Sequence, residues 1–157
     1  MVHPLIGIHA ALGEFAIFCF IWVFVEMLNP DERRVKRAKA VASVGLGLLL
    51  IAWVAGGYYY VHYYASNVKP IIKAGPWPWA HEVFMEIKEH LFLFLPFLMT
   101  VAVGTFYANS PQVLATDKKR RLSILVVSAL VILLGLAMAG MGFMISSGAR
   151  AALEAAA

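Results

Sequence analysis

The stretch LSILVVSALVILLGLAMAGMGFMI, residues 122–145, contains no ionisable side chain. At about 1.5 Å of rise per residue it crosses, as a helix, the roughly 30 Å hydrocarbon core of a bilayer. Three other apolar runs precede it, at 5–28, at 41–64, and a third that ends at Tyr107 and is purest over 91–107. None alternates polar and apolar residues as a barrel strand does, and only helices and closed barrels satisfy their backbone groups in lipid. The expected fold is an all-α, integral membrane four-helix bundle. Its helices fall near 4–28, 38–65, 78–108 and 119–147, in a single domain over 1–150. Residues 151–157 form a low-complexity, alanine-rich tail that resembles an artificial extension and carries no functional argument here.

Composition agrees with this. Of 157 residues 62% are hydrophobic and 14% charged, against about 45–50% and about 25% in a soluble domain. Cys19 is the only cysteine, so an intrachain disulfide is excluded. The net charge of +4 resides mostly in short connections, which fits orientation in a membrane and not nucleic-acid binding. The first run lacks a basic leader, contains Glu14 and is too long for a signal peptide.

The connection 29–40 holds Arg33, Arg34, Lys36, Arg37 and Lys39, and 108–121 holds Lys118, Lys119, Arg120 and Arg121. The connection 65–76 has only Lys69 and Lys73. Basic short loops stay cytoplasmic, so the expectation is a protein of the cell (inner) membrane with both termini outside. Tyr58, Tyr59, Tyr60, Tyr63, Tyr64, Trp77 and Trp79 then form an aromatic belt on the outer side. Small residues at Gly135, Ala139 and Gly142 are expected to face another helix.

Ionisable residues inside a membrane are costly and mark function by default. Counted from the basic ends of the helices, His9 lies at about 28 Å, His62 at about 32 Å, and Glu86, Glu89 and His90 at about 32, 27 and 26 Å. Glu14 is deeper, at about 21 Å, while His3, His81 and Glu82 lie near the headgroups at about 38 Å. Histidines and carboxylates from three helices therefore share one outer layer. Glu86 and His90 are spaced i, i+4 and project from one face.

Imidazole with carboxylate suits a transition metal ion such as zinc, iron or manganese, and helix bundles carry such sites in their cores. The expected ligands are His9, Glu14, His62, Glu86 and His90, supported by Glu82, Glu89 and His81. The spacing Glu86-x-x-x-His90 departs from the Glu-x-x-His of dinuclear carboxylate sites. A redox or electron-transfer role goes with this reading.

The layout of His3-Pro4-Leu5, His9, Tyr58 to His62 and Glu86 to His90 resembles small bacterial four-span membrane families with histidines at the outer helix ends, cytochrome b-like in arrangement. The resemblance implies haem b held by two of His9, His62 and His90, with Gly13, Gly56 and Gly57 letting the macrocycle approach. A third expectation needs no redox centre: a non-catalytic subunit of a larger membrane complex, or a proton-coupled transporter in which Glu14 relays protons. The partners expected are the lipid bilayer and membrane-complex subunits or a second copy, with no nucleic acid. No nucleotide loop, nucleophile elbow or protease motif is present.

The orientation is testable by labelling single cysteines in a Cys19→Ser background. Impermeant reagent added outside should modify Asn67→Cys and spare Ser110→Cys; the reverse pattern inverts the orientation.

Overall fold

The computed structural model describes residues 3–157, which are helical almost throughout. α1 spans Pro4–Leu28 and α2 Glu32–Tyr59. α2 runs on without a break through a π-helical stretch, Tyr60–Val68, into α3, Lys69–Ala74. A second π-helical stretch, Ala80–Met85, leads into α4, Glu86–Leu91, and then α5, Phe94–Ala108. The short α6, Pro111–Thr116, precedes the long α7, Lys118–Ala155. Four membrane-length helices result: Pro4–Leu28, Glu32–Ala74, Ala80–Ala108 and Lys118–Ala155. α1 packs on α2 and α7, and α5 packs on the same two, so the bundle closes with α1 and α5 on opposite corners.

The chain is thus an all-α integral membrane four-helix bundle. His3, the C-terminal end of α7 and the connection between the second and third long helices lie at one end, the aromatic end. The two basic connections lie at the other, the basic end.

Local sequence sets the helix ends. His3 caps α1, its Nδ1 accepting from the Leu5 backbone N–H, and Pro4 sits where its missing N–H costs nothing. Asp31 caps α2 and Ser110 caps α6. Asp117 caps α7, and its bonds from the backbone N–H groups of Arg120 and then Lys119 hold its carboxyl below the usual carboxylate range. The third long helix loosens at Phe92–Leu93, where the dihedrals stay helical but the hydrogen-bond ladder is interrupted. Pro96 explains this: it has no N–H to offer the Phe92 carbonyl, and its ring crowds that carbonyl.

Two ends of the bundle are fastened differently. At the basic end Glu26 is buried among Arg34, Arg37 and Trp22, with both oxygens used. Arg34 also donates to the Val25 carbonyl, so the α1–α2 turn is held by charge and backbone together. At the aromatic end the long helices outrun a bilayer. Glu32–Ala74 has 43 residues, or about 65 Å at helical rise, twice the hydrocarbon thickness. The projecting segments pack into a roof around Tyr59, Tyr64, Ile72, Ala80 and Ile145.

The region expected to be an outer loop, 65–76, is therefore mostly helix. The alanine-rich tail is helical through Ala155, and Ala152 is buried against Gly75.

Glycine sets the helix spacing. A Cβ on Gly135 would lie 2.6 Å from Ile17, one on Gly45 2.9 Å from Cys19, and one on Gly148 2.6 Å from Ala80. Gly135 and Gly142 face neighbouring helices as expected, but Ala139 is exposed on the bundle surface. The i+4 position has rotated off the contact stripe that runs through Ser128, Val131, Gly135, Ile145 and Gly148. Gly135→Leu should destabilise or misassemble the bundle, whereas Ala139→Leu should change its unfolding in mild detergent by less than about 0.5 kcal/mol. Equal tolerance of both would show that the stripe is not the contact.

Candidate functional site

Helix rotation divides the polar layer read from the sequence. His9, Tyr60, Lys88 and Glu89 are half-buried, and Tyr64 and His81 are buried. Glu14, His62, Glu82, Glu86 and His90 are exposed on the outside of the bundle.

The interior set draws on three long helices. From α1, His9 places its ring against Gly56 of α2, where a Cβ would lie 2.5 Å from Nδ1. Its Nδ1–H donates to the Ala52 carbonyl at 2.7 Å. A carbonyl only accepts, so this bond fixes the tautomer and leaves Nε2 free. From the second helix, Tyr60 and Tyr64 stack with centroids 5.5 Å apart. The Tyr64 hydroxyl bonds His81 Nδ1 at 3.0 Å in a wholly buried pair. The π-helical stretches 60–68 and 80–85 carry these residues, and π segments often occur at functional sites.

From the third helix, Glu89 turns its carboxylate towards the Tyr60 hydroxyl, and its Oε1 is shielded from solvent without a hydrogen-bond partner. Next to it Lys88 reaches into the bundle, its Nζ 3.1 Å from the place a Cβ on Gly142 would occupy. Among the described residues it makes no ion pair.

The exposed set is dispersed. His62 donates from Nδ1 to the Tyr58 carbonyl at 3.0 Å and stacks on Tyr58 at 4.1 Å. His90 donates from Nδ1 to the Glu86 carbonyl at 2.6 Å. Glu82 stands 3.9 Å from Lys73, both on the surface. Glu14 is exposed deep in the apolar run of α1, beside Phe15 and Phe18. Of the five residues expected to share a metal, only His9 turns inward. Among the described residues no three His, Cys, Asp or Glu side chains stand close enough to hold an ion together. Of the glycines expected to admit a macrocycle, Gly56 is covered by His9, while Gly13 and Gly57 face open space.

Lys88 is the interior residue that the sequence reading missed. A signal was present: His81, Lys88, Leu95 and Ala102 recur at seven-residue intervals, and the flanking members are buried. The aromatic belt also divides, since Tyr59 and Tyr64 belong to the roof core while Tyr58, Trp77 and Trp79 remain exposed.

No protein-family model, curated protein or solved structure matches the chain.

Tyr64→Phe removes the partner of a buried imidazole nitrogen and should cost about 1–3 kcal/mol. Tyr58→Phe, at an exposed ring, should cost less than about 0.5 kcal/mol. Equilibrium unfolding in mixed micelles measures both, and equal losses would show that the Tyr64–His81 bond is not formed.

Proposed function

We propose that this chain is a proton-coupled membrane transporter for a small solute, oriented with its basic connections in the cytoplasm and its aromatic end outside. One observation carries the reading: Lys88 and Glu89 are turned into the bundle at the depth of its polar layer, one turn before a proline-loosened turn at Phe92–Leu93 whose dihedrals stay helical. Ionisable groups kept inside a membrane bundle mark solute and proton pathways. The cost of enclosing Lys88, Glu89, His9 and His81 points to function as well, since packing alone is better served by apolar residues.

The parts have natural roles in this reading. Glu89 beside Tyr60, and Tyr64 bonded to His81, supply proton donors and acceptors between the bundle interior and the roof. The turn loosened by Pro96 and the two π-helical stretches supply places where backbone geometry can switch. Toward the basic end the interior is apolar, with Phe20, Met27, Met99 and Phe106 buried, and forms the closed side. Glu14, exposed to the apolar surroundings, is assigned to a contact with a second copy or another membrane subunit, because a lone carboxylate facing lipid needs a partner.

The histidines also support a redox or metalloprotein role. His9, His62 and His90 each fasten Nδ1–H to a backbone carbonyl and leave Nε2 free, the arrangement used by metal-ligating histidines. A zinc, iron or manganese ion, or haem b, would then need ligands from a second copy or a seat on the bundle flank. Metal content and a haem Soret band in single-alanine variants of these histidines separate this role from transport.

Proteoliposomes containing pyranine, placed in acidic buffer, test the transporter reading. Chloride, nitrate, acetate, potassium and glycine are added one at a time. At least one should speed proton entry over protein-free vesicles, and Glu89→Gln should slow it about a hundredfold. Proton entry at the protein-free level with every solute would overturn the reading.

A further inference from the structure

We infer that copies of this chain associate side by side in the membrane, the Glu14 face of α1 in one copy against the His90 face of the third long helix in the next. The inference narrows the Glu14 contact to a second copy, and it does not rest on the transporter reading.

Two polar groups on the outer flank lead to it. Glu14 is exposed beside Phe15 and Phe18, deep in the apolar run of α1. His90 is exposed on the third helix, and its Nδ1–H is held by the Glu86 carbonyl, so Nε2 is the nitrogen left to bond. Among the described residues neither side chain makes an ion pair, and that includes Glu86 one turn from His90. Lipid offers neither group a partner. A carboxyl and an imidazole sharing one proton answer each other. Either the O–H donates to Nε2, or Nε2–H donates to the carboxylate, and the pair is neutral both ways. The other exposed imidazole, His62, lies about two turns higher than Glu14. Within one copy Glu14 and His90 cannot meet, because α1 and the third helix occupy opposite corners of the bundle.

Their heights match. α7 meets Ile17 at Gly135 and Lys88 at Gly142, about two turns nearer the aromatic end. Glu14 stands about one turn above Ile17, and His90 about half a turn below Lys88. The two therefore lie within about one turn of each other, which side chains span.

The flanking residues match as well. α1 and the third helix both start at the aromatic end, so they run parallel. On α1 the exposed residues Gly7, Ala11, Glu14, Phe18, Ile21 and Val25 form one stripe. On the third helix Val83, Ile87, His90, Phe94, Phe97 and Val101 are exposed with the same alternation of four and three residues. That spacing is the seam of two parallel helices. Setting Glu14 against His90 brings small Gly7 and Ala11 opposite bulky Val83 and Ile87, which permits close approach. Faces on opposite corners make a head-to-tail contact, which closes as a ring or runs on as a row.

The test uses the full chain in a Cys19→Ser background, reconstituted in a large excess of phosphatidylcholine. Two variants with tags of different length, Gly7→Cys and Val83→Cys, are mixed and oxidised with copper phenanthroline. Both positions lie near the outer edge of the hydrocarbon, and a side chain at Gly7 meets open space. A disulfide should join the two variants to each other and neither to itself. Glu14→Ala in the first, or His90→Ala in the second, should lower the yield about tenfold. Glu14→His in the first with His90→Glu in the second should restore it, since the pair is exchanged and not lost. Three results would overturn the inference: no cross-link between the variants, Gly7→Cys joined to itself as in a two-fold α1 dimer, or full yield in both alanine variants. Vesicles that cross-link as expected but admit protons only at the protein-free rate would keep this contact and reject the transporter reading. Solute-driven proton entry without the cross-link would do the reverse.

Discussion

Close approach between helices at glycine is the constraint on which this molecule depends. Lipid tails are as apolar as leucine, so burying leucine between helices gains little in a bilayer, and shape decides which faces meet. Gly45 lets α2 settle on Cys19 and Phe20, Gly135 admits Ile17, and Gly148 admits Ala80. These contacts fix the rotation of each helix about its own axis. That rotation in turn decides which polar side chains are enclosed and which are left outside. The glycines of the site belong to the same set, for Gly56 receives the His9 ring and Gly142 the Lys88 ammonium.

The two ends handle polar groups in opposite ways. At the basic end the charge of Glu26 is fully answered by Arg34 and Arg37 with a further bond from Trp22, and the result is a fastening. At the aromatic end the charges are left unanswered. Lys88 makes no ion pair among the described residues, and one oxygen of Glu89 is shielded without a hydrogen bond. A satisfied buried network stiffens a structure, whereas an unsatisfied one stores a cost that ligand binding or proton transfer relieves. The π-helical stretches lie at this second end, and the turn loosened by Pro96 lies below them.

The roof gives this arrangement its boundary. The second long helix, about twice as long as the hydrocarbon core is thick, and the projecting ends of its neighbours fold onto one another around Tyr64 and Ile72. The bond between Tyr64 and His81 ties the second and third helices beneath it.

Composition and hydropathy alone determined the fold class and the depth of the polar layer. The reason is that a bilayer is a slab: length along a helix converts directly into depth, and Glu89, His90, His9 and Tyr60 fall at one level whatever the packing. Azimuth is different. Glu89 and His90 are adjacent in sequence and about 100° apart around the helix, so one is enclosed and the other exposed. Which of them is enclosed depends on where helix meets helix. The seven-residue recurrence of His81, Lys88, Leu95 and Ala102 marked the inner stripe, but a lysine within it reads from sequence as a break in the pattern. The continuation of α2 into the roof, and the burial of Ala152 against Gly75, were likewise beyond composition. Only the tertiary structure decided them, because they follow from contacts between segments far apart in the chain.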